Sequence, residues 1–314
     1  MAARVPLIFG TMTIGEAGRI PDLPTAQKVL DMFYKSGYKE LDTARMYGSG
    51  TTEAYLSKLD LKDSTLDTKV YPVNPGDHSP AKLRATFMTS LKTLGRSKVR
   101  VLYLHAPDRS VPWEETLAEM NNLYKEGLFE IFGLSNYAAW EVSAICEICK
   151  AKGFVMPGIY QAMYNALQRA IEPELVPCLR KYNIRLVIYN PLAGGLFSGK
   201  ITSVDQIPDE GRFSGAGGKM YRERYVKTAY INALKDIKVV GDKHGLRLTE
   251  IALRWCQHHS LLTPSDGVIL GASSLGQLEM NLTDSEKGPL PADVLEALDN
   301  GWMHVGPSAP LYWR

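Results

Sequence analysis

The sequence predicts an α/β fold, a closed (β/α)8 TIM barrel forming a single domain over residues 1–314. Three observations carry that expectation. Eight short apolar runs recur along the chain, amphipathic helical segments with their own start and stop residues separate them, and neither early glycine cluster makes a dinucleotide-binding fingerprint. A length of 314 residues is ordinary for one such barrel.

The runs are residues 5–9, 38–42, 67–71, 99–105, 129–134, 159–164, 184–189 and 267–270. Most are nearly continuous in apolar residues, as parallel strands covered on both faces are. Between the first two, Pro24 to Gly37 carries Val29, Leu30 and Phe33 at helical spacing. After the third, Ser79-Pro80 opens a helix with a cap and a first-turn proline, Leu83, Phe87, Leu91 and Leu94 share one face, and Gly95 stops it. Pro112 opens the next, striped by Leu117, Met120, Leu123 and Tyr124 and ended by Gly127. An open nucleotide-binding sheet is disfavoured: Gly10-Thr11-Met12-Thr13-Ile14-Gly15 lacks the second glycine, and Gly48-Ser49-Gly50 has Glu53 where the third belongs. The glycine-rich stretch from residue 202 reads as a long lid loop reaching about 224, and the C-terminal tail as a second loop over the site.

Composition excludes several classes. The chain is 45% hydrophobic and 22% charged with net charge +2, and it has no basic stripe of the kind that binds nucleic acid. The apolar stretch from Val5 to Phe9 is too short for a signal-peptide core, and no later run approaches a membrane span, so a cytoplasmic protein without membrane contact is expected. The match to a glycosylation acceptor at Asn281-Leu282-Thr283 is then a chance one. Cys146 and Cys149 form C-x-x-C inside a helical run and lack a second ligand pair, so they read as small buried residues and no metal is expected.

Barrel chemistry sits where strands end. Those ends supply Asp42 after the second strand, Lys69 in the third and His105 at the end of the fourth, with Tyr47 five residues beyond Asp42. Polar groups closing apolar strands are costly unless paired, which points to one shared cluster. A lysine beside a phenol favours the phenolate and eases proton donation, an aspartate holds the lysine charged, and a neutral histidine orients a substrate oxygen. The structural alternatives, a helix cap for Asp42 and a solvated Lys69, stay open on placement alone.

The motifs resemble those of the aldo-keto reductase superfamily. Leu41-Asp42-Thr43-Ala44-Arg45-Met46-Tyr47-Gly48, Thr68-Lys69 and Leu104-His105-Ala106-Pro107-Asp108 match its Asp, Tyr, Lys, His tetrad in order and approximate spacing. Gly133-Leu134-Ser135-Asn136, Tyr160-Gln161, Tyr189-Asn190-Pro191-Leu192 and Gly271-Ala272-Ser273-Ser274 extend the match over nearly the whole chain. Stretches around Gly194-Gly195-Leu196, Gly211-Arg212-Phe213, Tyr221-Arg222-Glu223-Arg224-Tyr225 and Tyr312-Trp313-Arg314 look like the branch of aflatoxin-aldehyde and succinic-semialdehyde reductases. That resemblance implies NADPH as cofactor, a small aldehyde or ketone as substrate, Tyr47 as general acid, and a homodimer as the frequent assembly. It also implies that Ser135, Asn136 and Gln161 hold the nicotinamide amide and Tyr189 stacks on the ring. The stretch from Asn190 to Lys200, with Pro191, Leu192, Gly194 and Gly195, follows the pyrophosphate, and Ala272, Ser273, Ser274, Gln277 and Asn281 meet the adenosine end. Arg212 is placed with the cofactor, and Met46, Tyr221, Arg224, Trp313 and Arg314 are the substrate candidates, while which of Arg212, Arg222, Arg224 and Arg314 meets the extra phosphate and which a substrate carboxylate stays open.

Gly194 to Lys200 also satisfies G-x-x-x-x-G-K, but Ile201 leaves no hydroxyl for magnesium, so a triphosphate loop is disfavoured while a cradle for a diphosphate is not. Two other functions compete. A cofactor-binding regulatory subunit of the channel-associated type would carry a long extra N-terminal segment, whereas the first strand here begins at residue 5. A metal-dependent hydrolase barrel needs ligands at several strand ends, and only Asp42 and His105 qualify.

Overall fold

A computed structural model describes residues 3–206, 208–215 and 218–314. Part of the expected lid, residues 207, 216 and 217, therefore lies outside the described residues. The first half of the chain runs β1 (Leu7–Gly10), α1 (Leu23–Lys35), β2 (Glu40–Asp42), α2 (Thr52–Leu56), β3 (Thr65–Val70), α3 (Pro80–Leu94), β4 (Val99–Leu104) and α4 (Trp113–Lys125). It continues through β5 (Phe129–Ser135), α5 (Ala139–Lys152), β6 (Pro157–Met163), α6 (Leu175–Lys181) and β7 (Arg185–Tyr189). Then come α7 (Lys219–Tyr225), α8 (Thr228–Lys243), α9 (Leu248–His258), β8 (Gly267–Leu270), α10 (Leu275–Ser285) and α11 (Ala292–Val305). Each strand pairs in parallel with the next and β8 returns to β1, which closes the barrel.

Alternation along the strands divides the core into two shells. Inside the barrel Ile8, Val101, Tyr103, Ile159, Val187 and Ile269 pack on one another, while the opposite faces bury Phe9, Leu41, Leu102, Leu134 and Leu186 against the helices. Tyr103 fills the space opposite Gly133, where an added Cβ would meet its ring. At the N-terminal end of the strands the interior is charged. Arg100 pairs with Asp67 and Glu40, and Arg185 pairs with Glu40 at 2.9 Å.

Local chemistry explains the element ends. The Asp22 side chain accepts from Thr25 N–H to cap α1, with Pro24 in its first turn, and α1 buries Ala26, Val29, Leu30 and Phe33. Glycines stop α3 and α5 in the left-handed region, Gly95 at φ 64° and Gly153 at φ 65°. Ser79 makes no side-chain capping bond, contrary to expectation; Pro80 already removes one of the orphan donors there. The first strand starts two residues late because the Gln257 side chain, rather than a neighbouring strand, holds both the N–H and the C=O of Val5.

Two features were not anticipated. Residues 219–225 form the helix α7 and are not a continuation of the lid loop, and α8 and α9 follow before β8. The strand β8 is also weakly held. It pairs with β7 only through Val187↔Gly267 and Ile188↔Val268, and with β1 through three residues.

Candidate active site

Asp42, Tyr47, Lys69 and His105 meet at the C-terminal end of β2, β3 and β4. Lys69 is fully buried, and its ammonium donates in three directions: to Asp42 Oδ2 at 2.6 Å, to the Thr43 carbonyl at 2.8 Å and to Tyr47 Oη at 3.4 Å. The other oxygen of Asp42 accepts from Gln161 Nε2 at 2.8 Å, so both carboxylate oxygens are held. Such a buried pair stands only because each charge faces the other and further dipoles.

Burial and neighbouring charges set the protonation states. Burial holds the Lys69 pKa below its usual value, against the pull of Asp42. The Tyr47 phenol is pushed well above its ordinary value, by burial first and then by Asp42. Burial thus outweighs the lowering expected from Lys69. His105 is driven well below its usual pKa, chiefly by burial and then by the cations Lys69 and Arg314. Its Nδ1 is buried without a partner among the described residues. The site at neutral pH is thus a protonated phenol beside a neutral imidazole, with ring centroids 6.1 Å apart.

The turn that carries Tyr47 is itself held. Gly48 and Ser49 both adopt left-handed backbone, φ 57° and φ 55°. A Cβ on Gly48 would lie 2.7 Å from Thr52 Oγ1 and 2.9 Å from Thr51 Oγ1. Below it, the fully buried Glu53 accepts from Arg45 at 2.6 Å and from Thr68 Oγ1 at 2.8 Å, which ties the turn to β3. Sequence reading used Glu53 only as a missing glycine; a carboxylate inside an otherwise apolar helical turn was the available signal.

Beside the tetrad, Ser135, Asn136, Gln161 and Tyr189 form one bonded group. Asn136, at φ 63°, donates to the His105 carbonyl at 2.8 Å and accepts from Tyr189 Oη at 3.0 Å. Ser135 Oγ donates to the Gln161 carbonyl at 3.0 Å. Beyond β7, Asn190 sits at φ 58° with its amide on Tyr225 Oη, Pro191 is buried and Leu192 is half-buried. Gly194 and Gly195 follow at φ 69° and φ 107°, and a Cβ on Gly194 would strike the Tyr221 ring at 2.8 Å. Lys200 is exposed. At the β8 end, Gln277 Oε1 accepts from both Ser273 N–H and Oγ, the Ser274 side chain caps α10, Ala272 is buried, and Asn281 donates to the Gly271 carbonyl at 3.3 Å.

The substrate candidates are dispersed around the mouth. Met46 is half-exposed beside Tyr47. Tyr221 accepts from Arg212 at 3.1 Å, and Arg224 lies near enough to Tyr189 for its charge to bear on that phenol. From the helix α7, where the lid loop was expected to continue, Arg222 turns back to the carbonyls of Phe213 and Gly215 at 2.5 and 2.8 Å. Arg314 folds over the mouth, its N–H on the Asn136 carbonyl and its guanidinium on Tyr71 Oη at 3.1 Å. Trp313 faces the guanidinium of Arg109 at 5.8 Å. Tyr71, edge-on to His105 at 5.5 Å, escaped sequence reading because it follows β3 with no motif of its own.

Cys146 and Cys149 are fully buried in α5, with thiols pushed up to about 12 by burial, which fits packing rather than reactivity.

A profile of the Aldo/keto reductase family matches residues 6–302. The chain is 41% identical to "Aldo-keto reductase family 7 member A3" of Homo sapiens, over 99% of this chain and 98% of that protein. It is 43% identical to "Aflatoxin B1 aldehyde reductase member 2" of Mus musculus, over 99% and 88%. It is 39% identical to "Aldo-keto reductase pigE" of Monascus ruber, over 96% and 95%. Aligned from end to end with these relatives, the chain belongs to the aldo/keto reductase family.

Proposed function

We propose that this protein reduces aldehydes, and ketones by the same chemistry, to alcohols with a nicotinamide cofactor, NADPH in preference to NADH. The observation that carries the reading is Lys69 Nζ buried among Asp42, Thr43 and Tyr47. Because the lysine donates to Tyr47 Oη, the phenol's own proton is left for another acceptor. A carbonyl oxygen between Tyr47 and His105 is that acceptor. His105, held neutral, donates from Nε2 and orients the oxygen, while Tyr47 transfers its proton as charge develops there. Asp42 and Gln161 fix the lysine, and the lysine stabilises the phenolate left behind. The relatives named for aflatoxin B1 aldehyde support an aldehyde as the substrate.

The residues present fit the cofactor. Gly194 and Gly195 offer bare left-handed backbone that a phosphate approaches closely. Tyr189 presents a ring at the tetrad, and Ser135, Asn136 and Gln161 supply amide and hydroxyl groups beside it. When bound, the reduced nicotinamide supplies the hydride. Arg212, free of any ion pair among the described residues, and the exposed Lys200 favour an additional phosphate, hence NADPH.

Arg224 and Arg314 make no ion pair among the described residues and bear on Tyr189 from the mouth. An aldehyde carrying a carboxylate is therefore the better substrate, by roughly tenfold to a hundredfold in kcat/KM from one charged hydrogen bond. The test follows the near-ultraviolet absorbance of NADPH with succinic semialdehyde and with butanal, in wild type and in Arg224→Ala. No consumption with either aldehyde sinks the reductase reading. Equal rates on the two sink the anion pocket alone, and a preference that survives the substitution moves it to Arg314.

A further inference from the structure

Beyond α11 the chain runs back over the mouth of the barrel as a tail, residues 306–314, and side chains from other segments hold it there. Lys227, just before α8, donates from its ammonium to the Ser308 carbonyl at 2.6 Å, and Gln168, after β6, donates from Nε2 to the Pro310 carbonyl at 2.8 Å. The Arg314 N–H donates to the Asn136 carbonyl at 3.0 Å. The other residues of the tail are half-buried or exposed, whereas Tyr312 is only 5% exposed. Its hydroxyl has two partners: it accepts from the Ala139 N–H at 3.1 Å and donates to Glu174 Oε1.

This pairing gives Tyr312 a task that burial of its ring does not require. Ala139 is the first residue of α5, and the opening N–H groups of a helix have no partner within it. Glu141 takes the Ala138 N–H, and the tail takes the next one. Asn136 and Ala139 stand at the two ends of one short turn after β5, so the tail is fastened to both. The same turn touches the tetrad, since the Asn136 side chain bonds the His105 carbonyl and Tyr189 Oη. From the fastened tail, the Arg314 guanidinium reaches Tyr71 Oη at 3.1 Å, and the Tyr71 ring lies edge-on to His105. Arg314 is exposed, and a long side chain there keeps its freedom unless the backbone beneath it is fixed. A buried ring can slide along its slot, but two directional hydrogen bonds on its hydroxyl set the depth at which it sits.

We propose that Tyr312 is a positioning residue for the substrate mouth: its hydroxyl, latched between Ala139 and Glu174, fixes the tail so that Arg314 stands over Tyr71 and His105 to meet the far end of an anionic aldehyde. Tyr312 takes no part in the transfer of hydride or proton. The inference rests on the carboxylate reading above and deepens it, giving Arg314, one of the two arginines at the mouth, a share that depends on the latch.

The test measures kcat and KM for succinic semialdehyde and butanal in wild type, Tyr312→Phe, Glu174→Ala, Arg314→Ala and the Tyr312→Phe/Arg314→Ala pair. Hydrogen–deuterium exchange at the amides of residues 139 and 314 is followed in the same proteins. Tyr312→Phe keeps the ring and loses both bonds. It should speed exchange at both amides by about tenfold and raise KM for succinic semialdehyde at least about fivefold, with kcat and the KM of butanal within about twofold. Glu174→Ala, at an exposed position, falls between and carries the test if the phenylalanine variant does not fold. In the Arg314→Ala background Tyr312→Phe adds less than about twofold to KM, because two residues that act through one contact are not additive. A Tyr312→Phe variant that lowers kcat for both aldehydes alike, or adds its full effect to Arg314→Ala, would overturn the proposal in favour of general packing. An unchanged KM for succinic semialdehyde, whatever the exchange shows, would overturn it and leave the carboxylate reading to Arg224. A wild type that turns over both aldehydes equally removes the carboxylate reading, and the latch's task with it.

Discussion

Lys69 has three N–H groups and three partners, and that count defines the site. Tyr47→Phe keeps the ring and removes the acid, so kcat is expected to fall by about 10²–10⁴ while NADPH affinity changes less than twofold. Activity within tenfold of wild type would exclude Tyr47 as the donor. Buried histidines set a second expectation. His78 is fully buried with Nδ1 unpartnered among the described residues, and burial lowers its pKa, as it does for His105. The unfolded chain takes up protons near pH 6.5 that the folded one refuses, so stability is full above that pH and is lost as pH falls below it. Each histidine contributes a slope of up to about 1.4 kcal/mol per pH unit. Urea denaturation at pH 7.5 and 5.5 reads it: His78→Gln should flatten the dependence, and an unchanged slope would show that His78 titrates as freely when folded as when unfolded.

At the scale of elements, the turn after β2 and the segment before α7 do different work. Gly48→Ala forces a Cβ into a left-handed position already crowded by Thr51 and Thr52. Displacement of Tyr47 follows, with kcat down at least tenfold and cofactor affinity retained; an unaltered kcat would mean the turn yields without moving the phenol. Arg222→Ala frees the carbonyls of Phe213 and Gly215, and faster proteolysis between residues 202 and 218 measures the release. The strands and their polar ends were legible in the sequence because burial on both faces leaves continuous apolar runs, against which Asp42, Lys69 and His105 stand out. The course of residues 219–225 was not. It follows a glycine-rich stretch and reads with it as loop, whereas packing of Tyr221 and Tyr225 into the core makes it a helix.

For the whole molecule, the barrel interior is the sensitive volume. Tyr103 is fully buried there and its hydroxyl has no partner among the described residues. Tyr103→Phe removes an unsatisfied group without opening a void and should leave stability unchanged or raise it by about 1 kcal/mol. A loss larger than that in urea denaturation would reveal a hydrogen bond to water. Gly133→Ala, opposite the same ring, should cost about 1–3 kcal/mol by overpacking. The cylinder is also not uniformly sealed. With two residue pairs on one side and three on the other, β8 is the stave held by the fewest ladder bonds. Sub-global opening therefore starts at that seam, and the amides of residues 267–271 should exchange with deuterium sooner than those of β3 to β6. A ligand lying across the seam acts as a suture, slowing exchange there most, so the isotope uptake of one short strand becomes a gauge of occupancy that needs no turnover.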